Sequence, residues 1–295
     1  MLSILIPTYN YDIFHLVETI WNQCSKESYP FEIIVVDDCS TKTEILEQNN
    51  RIGRLTNCSI ISNKENLGRT ASRNLLASLA THNWLLFLDA DVLPSSDNFI
   101  KNFRIEESND WDVIFGGISY CNTAPKRENI LRWVYGKARE AKSVSERLKD
   151  PFFIISQNLL IRKEIFSKAN SIIKNAYGLD NLFSNNLKKL NVAINHINNP
   201  VYHLGLESAS VFIKKSLESV ETTVNLEAQN LMDSNLRPLQ KSYLKLKKYY
   251  FVKPFSVLMN LTDKQILNNL GSKRPSLFLF DLYRLNYYIK LKDDA

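Results

Sequence analysis

Apolar positions in this chain follow two rhythms. Short, nearly unbroken apolar runs read as strands: "LSILIP" (2–7), "FEIIVVDD" (31–38), "NCSIIS" (57–62) and "WLLFLDAD" (84–91). Between them the apolar residues take helical spacing. Ile13, Leu16, Val17, Ile20 and Trp21 share one face, and "RTASRNLLASLA" (69–80) follows Gly68. Strands near 2–7, 32–36, 58–62 and 84–88 with helices between them predict βαβ units and a mostly parallel sheet. Unbroken apolar strands fit that reading, because a parallel sheet is covered on both faces.

The pattern then changes. "DVIFGGISY" (112–120) and "FFIISQNLLIR" (152–162) read as further strands, with a charged stretch of helical periodicity between them at 126–150. Residues 177–191 read as a turn at Gly178 followed by a helix with Leu179, Leu182, Phe183, Leu187 and Leu190 on one face. "NPVYHLGLE" (199–207) is the last strand signal, and "SVFIKKSLESVETTVNLEAQNL" (210–231) is helical. Beyond Pro238, Leu239, Tyr243, Leu246 and Tyr250 form one stripe, and Lys241, Lys245 and Lys248 form another. The expected division is an α/β domain at 1–215 and a helical, basic, aromatic-rich region at 216–295.

Composition agrees with a globular α/β chain: 295 residues, 44% hydrophobic and 23% charged. No apolar run reaches the roughly 18 residues of a membrane span, and "MLSILIPTYN" reads as a first strand, not a signal peptide. Cys24, Cys39, Cys58 and Cys121 are scattered without a CxxC pair, which favours free thiols in a reducing cytoplasm. The net charge of +6 is uneven. Residues 236–295 hold 12 Lys and Arg against 4 Asp and Glu, while the remainder is slightly acidic. Nucleic-acid binding near the sheet is therefore not expected. A basic, aromatic tail instead suggests an anionic membrane surface. The other reading of the tail is a helical subdomain packed on the catalytic domain or on a twin subunit in a homodimer.

Two acid pairs stand where an α/β sheet binds ligands, beyond the carboxyl ends of its strands. Asp37-Asp38 follow "EIIVV", and Asp89-Ala90-Asp91 follow "WLLFL". Alternation turns Asp89 and Asp91 to the same side. Two such carboxylates repel unless a cation sits between them, and a hard divalent ion, Mg²⁺ or Mn²⁺, meets that need.

These segments carry a resemblance. "SILIPTYN", "EIIVVDDCST", "NLGRTASRN" and "WLLFLDADVLP" occur in the order and spacing of the family-2 glycosyltransferases of bacterial type, over roughly residues 2–205. The resemblance implies a GT-A, Rossmann-like α/β fold and an inverting, metal-dependent transferase. Its donor would be a nucleotide-diphosphate sugar, expected to be a UDP-sugar, and its acceptor a glycan or lipid-linked hydroxyl in surface polysaccharide synthesis. It also implies a set of donor contacts: Pro7, Thr8 and Tyr9 past the first strand, Asp37 and Asp38 at the nucleoside, Arg69 and Arg73 at the base or diphosphate, and Asp89-Ala90-Asp91 at the sugar and metal. By the same resemblance Asp91 would be the metal ligand, with Asp89 beside it and His203 as a further ligand.

An inverting transferase needs a carboxylate to deprotonate the acceptor hydroxyl. "YGLDNLF" resembles the family's late-helix element and makes Asp180 the candidate, although Leu179 stands where an acid is common and Asn185-Asn186 stand where Arg is common. Trp133, Tyr135, Gln157 and Asn158 are acceptor-side candidates, because sugars stack on rings and bond to amides. His15, His82 and His196 read as surface or helix-end residues. The expected location is the cytoplasm, peripheral on the inner face of the membrane. The competing readings are an inactive nucleotide-sugar-binding scaffold and a nucleotidyltransferase. The latter fits poorly because "PTYNYD" lacks a glycine-rich phosphate loop.

Overall fold

A computed structural model describes residues 1–27, 29–107, 110–170 and 176–293. The chain packs as two compact units: 1–121 with 139–175 and 183–205, and 122–138 with 176–182 and 206–295.

The first unit is built on a seven-stranded sheet. Strands β1 (Leu2–Thr8), β2 (Phe31–Asp37), β3 (Cys58–Ser62) and β4 (Trp84–Leu88) pair in parallel in the order β3-β2-β1-β4. These are the four runs legible in the sequence, and every residue of β4 is buried. Helices α1 (Phe14–Lys26), α2 (Thr43–Asn50) and α3 (Arg69–Leu79) connect them. Leu16, Val17 and Ile20 of α1 join Ile4, Ile6, Val35 and Leu86 in one core. Each such buried side chain contributes about 1.5–3 kcal/mol by leaving water.

Beyond β4 the sheet departs from the simple pattern. After the short β5 (Val92–Pro94) and α4 (Phe99–Glu107), the run 112–120 divides into β6 (Val113–Phe115) and β7 (Ile118–Ser119). The single strand expected there is corrected for a physical reason. At Gly116-Gly117 the chain leaves one sheet for another. A side chain at 116 would overlap the Asn158 amide and the Asn199 carbonyl, and Gly117 has φ +94°. The expected strand 152–162 shortens to β8 (Asn158–Arg162), which runs antiparallel between β4 and β6. Parallel pairing of β6 with β9 (Ile194–His196) closes the sheet. A second sheet of three strands, β5-β10-β7, is centred on β10 (Val201–His203).

The charged stretch 126–150 forms α5 (Ile130–Tyr135), a π turn at Gly136–Glu140 and α6 (Val144–Arg147), the last held by a Ser143–Glu146 capping box. Arg147 is buried and donates to the carbonyls of Phe115, Ile197 and Lys142 at 2.9, 2.9 and 3.2 Å. Burial pulls its guanidinium down to about 10.

Next to Arg147, His196 is buried, which corrects the surface reading. Its Nε2 donates to the Pro151 carbonyl at 2.9 Å, and Nδ1 faces Arg147 at 3.4 Å. Burial, aided by the Arg147 charge, holds its pKa below the ordinary histidine value despite the bond to Pro151. The unfolded chain therefore takes up a proton near pH 6.5 that the folded chain refuses, so stability falls as pH drops from about 6.5 toward the lower folded value. Urea unfolding should show a slope of up to about 1.4 kcal/mol per pH unit in that window. His196→Asn should flatten it; an unchanged slope would assign the dependence to other groups.

Helix α7 (Lys163–Ala169) belongs to the first unit, and its Phe166 stacks on Phe87 of β4 at 4.5 Å. Helix α8 (Asp180–Lys189) follows a turn at Gly178, whose φ is +95°.

The second unit is built of helices among its described residues. It contains α5, α9 (Ala209–Ala228), α10 (Pro238–Lys248), α11 (Val252–Leu261), α12 (Asp263–Leu270) and α13 (Leu277–Asp293). Helix α9 runs unbroken through residue 215. Phe212, Met259, Ile266, Leu270 and Phe280 form a core of their own, with Tyr135 set edge-on to Phe212 and Phe280. A buried carboxylate, Glu227, ties α9 to α10 and α13. It accepts from Tyr288 at 2.8 and 2.9 Å and from Gln240, and pairs with Lys292 at 2.5 Å. Burial first, and Glu227 second, push the Tyr288 hydroxyl far above the ordinary tyrosine value. Among the described residues no helix is long and apolar enough to cross a membrane.

Candidate functional site

The carboxyl ends of β1, β2 and β4 carry half of the candidate residues that the sequence singles out. Pairing sets Pro7 opposite Val36 and Thr8 opposite Asp37. The loops after β1 and β2 are knitted by Asn10, which sits at φ 50°. Its side-chain oxygen accepts from the amides of Thr41 and Lys42 at 2.9 and 3.2 Å, and its own amide donates to Ser40 Oγ at 2.7 Å. Thr8 is buried, its hydroxyl donating to the Tyr11 carbonyl at 3.0 Å, whereas Tyr9 is exposed.

The two acids of the first pair differ. Asp37 accepts from the Ser40 amide at 2.9 Å through Oδ1, and its buried Oδ2 has no donor among the described residues. Asp38 is filled on both oxygens. Oδ1 accepts from the Leu67 amide and Asn63 at 2.9 and 2.8 Å, and Oδ2 from the Gly68 amide at 2.8 Å. Asp38 thus braces the loop that enters α3, with its charge near that helix's N-terminus.

Asp89 is held by two arginines of α3. Arg73 meets Oδ1 at 2.5 Å and Arg69 meets Oδ2 at 3.1 Å. Their spacing of four residues puts both guanidiniums on one helix face. Arg73 is 6% exposed and also donates to the carbonyl of Ser156 at 3.0 Å and to its hydroxyl, which Arg69 reaches at 3.1 Å. These pairings bury the Arg73 side chain. Arg69 is 40% exposed along its side chain.

Asp91 lies two residues on, past Ala90, and its Oδ2 meets His203 Nε2 at 3.1 Å. Three features fix this pair. Strand β10 sets His203 opposite Val92 on β5, the Leu204 amide donates to the Asp91 carbonyl at 2.8 Å, and Gly205 leaves room where a side chain would overlap the carboxylate. Burial alone would raise the Asp91 carboxyl. The hydrogen bond and charge of His203, with the charge of Arg69, outweigh it and hold the group below the usual carboxylate range. The repulsion expected between Asp89 and Asp91 is therefore met by two guanidiniums and an imidazole.

A divalent ion fits part of this arrangement. Octahedral ligands at about 2.1 Å place neighbouring donors about 3 Å apart, which is the spacing of Asp91 Oδ2 and His203 Nε2. His203 Nδ1 is buried without a partner, and the ring lies edge-on to Tyr120 at 5.4 Å. Among the described residues no group of three or more His, Cys, Asp or Glu is placed to hold an ion. The two side chains would supply part of a ligand set, with the rest coming from substrate oxygens or water, as is usual for Mg²⁺ at phosphates.

The other candidates lie on separate elements. Asn158 is fully enclosed, and its amide donates to the carbonyls of Gly117 and Asn199 at 2.8 and 2.9 Å, so it joins the two sheets. Gln157 is buried, its carbonyl accepts from the Asp89 amide at 3.4 Å, and its side-chain oxygen has no donor. Tyr135 packs in the core of the second unit, and Trp133 on the same helix carries Lys137 over its ring at 4.7 Å. Asp180 opens α8 within the second unit.

Sequence reasoning missed Ser156, Tyr11 and Gly205. Tyr11 senses the site: burial, then the Asp91 and Asp12 charges, push its hydroxyl up. A signal existed for Gly205, which directly follows "VYHL" at the end of the last strand run.

The model of glycosyl transferase family 2 matches residues 3–169. A glycosyltransferase of Haemophilus influenzae, otherwise uncharacterized, is 35% identical over 111 residues, 37% of this chain and 35% of the relative. A poly(ribitol-phosphate) beta-glucosyltransferase of Bacillus spizizenii is 30% identical over 125 residues, 41% of this chain and 19% of the relative. The chain thus matches about a third or less of these curated relatives' lengths. A mannosyltransferase of Pyrobaculum calidifontis, solved with GDP-mannose and Mn²⁺, superposes with a TM-score of 0.56 at 15% identity, covering 100% of this chain and 88% of that one.

Proposed function

Since the chain belongs to glycosyl transferase family 2 and has the GT-A fold, we propose that it transfers a hexose, with inversion, from a nucleotide-diphosphate sugar to an acceptor hydroxyl. The proposed donor is a UDP-sugar, and the acceptor a glycan or lipid-linked chain in surface polysaccharide synthesis. The observation that carries this reading is the cluster Arg69, Arg73, Asp89, Asp91 and His203 at the ends of the parallel strands. The Bacillus spizizenii relative supports the polysaccharide part.

In this reading Asp37, which keeps an oxygen without a donor, faces the nucleoside, and Asp38 shapes the loop behind it. Arg69, half in solvent, meets a diphosphate oxygen in the bidentate manner that guanidinium geometry favours. Asp89, oriented by Arg73, accepts from sugar hydroxyls. Asp91 and His203 would hold Mn²⁺ or Mg²⁺. Such an ion, when bound, offsets the charge growing on the departing diphosphate. Asp180 is the proposed base that takes the proton of the acceptor hydroxyl. The protein would work in the cytoplasm at the inner face of the membrane.

The test is release of nucleoside diphosphate across a panel of nucleotide sugars with a glycan acceptor, with and without Mn²⁺ or Mg²⁺. We expect release with one donor, dependent on the ion. Asp180→Asn should lower turnover by about 10²–10⁴-fold. Full turnover in that variant would overturn the base assignment and leave the transfer reading standing. Donor binding by calorimetry without any release would favour the inactive binding protein.

A further inference from the structure

Helix α11 has an apolar side too many. Phe255 and Met259 point into the core of the second unit. The opposite side carries Val257, Leu258 and Leu261, which are exposed, Leu261 by 74%. A helix that is apolar all round is normally buried all round. The adjoining elbow adds three exposed rings, Tyr249, Tyr250 and Phe251.

Tyr250 deserves separate account. It sits at φ 61°, just past the C-terminus of α10, where its amide and that of Phe251 donate to the carbonyls of Lys247 and Leu246 at 3.2 and 2.9 Å. Glycine ordinarily takes that left-handed position, because a side chain there is strained. Here a tyrosine takes it, and the side chain is 91% exposed, so no packing within the fold compensates the strain.

Between Asp233 and Asp263 the charges along the chain have one sign. Residues 234–262 contain Arg237, Lys241, Lys245, Lys247, Lys248 and Lys253 and no Asp or Glu. The five lysines are exposed, and among the described residues none of them forms an ion pair.

From these observations we propose that the α10–α11 elbow docks on an anionic lipid surface, with Tyr250, Phe251, Leu258 and Leu261 entering the interface and the lysines facing the headgroups. Exposed apolar residues interspersed along the chain with exposed lysines match an apolar interior under a negative surface. Tyrosine suits the boundary, with an apolar body and a polar tip. A second copy of the chain would fit worse, because a two-fold contact would oppose lysines to lysines. The inference is independent of the transferase reading: it concerns a surface of the second unit alone.

The experiment is co-sedimentation of the full chain with vesicles containing phosphatidylglycerol, compared with pure phosphatidylcholine, at low and high salt. We expect binding to the anionic vesicles only, weakened by salt. Leu258→Ser with Leu261→Ser should weaken it about tenfold per leucine, and Lys245→Glu with Lys248→Glu at least about fivefold per position. Because all four side chains are exposed, far-ultraviolet circular dichroism should not change. Tyr250→Gly removes the strain and a contact together, so it should raise Tm and weaken binding. Failure of the full chain to bind anionic vesicles would overturn the proposal, as would unchanged binding in the leucine and tyrosine variants. A concentration-dependent dimer that the leucine variants abolish, without vesicle binding, would assign the surface to a second copy instead.

Discussion

Replacing Asp91 with alanine should lower turnover by about a thousandfold, the loss typical when one preorganised electrostatic group is removed from a transition state, while the fold persists. Its carboxylate is 28% exposed along the side chain and reaches past Gly205, so no core contact is lost. Folding loses one hydrogen bond from His203, a cost of about 1 kcal/mol. Asp91→Asn separates charge from geometry. It retains an acceptor for His203 and removes the negative charge that an ion would need. We expect Asn to be nearly as inactive as Ala, and raised Mn²⁺ to restore neither. Steady-state kinetics with whichever nucleotide sugar supports turnover would check this. An active Asn variant would mean that Asp91 acts by shape, and the proposed ion would have to sit elsewhere. Sign and pH agree with this role. Because the carboxyl is held below its ordinary value, the charge is retained above about pH 4, and its stabilising share is lost only as pH falls through the lower folded value.

The second large effect is on stability. Arg73→Met should cost about 3–5 kcal/mol, because it leaves the Asp89 carboxylate buried beside a single, half-exposed partner, Arg69. For a chain of this size each kcal/mol moves Tm by roughly 2–4 °C. The Ser156 carbonyl loses its Arg73 donor as well, while the hydroxyl keeps Arg69. Adding Asp89→Asn to the methionine variant should recover part of the loss, since no unpaired charge then remains. Thermal melts of the two single variants and the double variant form the cycle. Strict additivity would show that the pair is not what makes Arg73 costly to remove. Arg73→Lys should not rescue, because an ammonium cannot span Asp89 and Ser156 at once.

The parts of the fold that the sequence made legible are those ruled by local pattern. Strands β1, β2 and β4 stand out because burial on both faces requires unbroken apolar runs, and α9 because its periodicity persists over 20 residues. What escaped depends on contacts between distant segments. Gly116-Gly117 looked like two residues inside one strand, and only the Asn158 and Asn199 groups pressed against them show why the chain changes sheets there. The segments 122–138 and 176–182 give no sign in the sequence that they cluster with 206–295. The acid pairs stand out at the ends of their strands, but the sequence does not show what they pair with. The loop amides that fill Asp38 come from residues 67 and 68, and Asp89 finds its counter-charge sixteen residues back on a helix. Ser156, a lone hydroxyl in an irregular segment, has no pattern to betray it. His196 was misread because a histidine beside strand signals is as compatible with a surface as with the Arg147 carbonyl web that encloses it.

The three-residue pairing of β5 with β10 acts as a ruler. Val201 and His203 face inward and Tyr202 outward, and each is fixed against one residue of 92–94. Side chains on a strand alternate, so a slip of one position would turn the Tyr202 ring toward Asp91 and put the imidazole in solvent. Between Asp91 and Gly205, then, the chain can exchange many side chains, but within these two strands it cannot gain or lose a single residue. Length, more than identity, is what this part of the molecule must preserve.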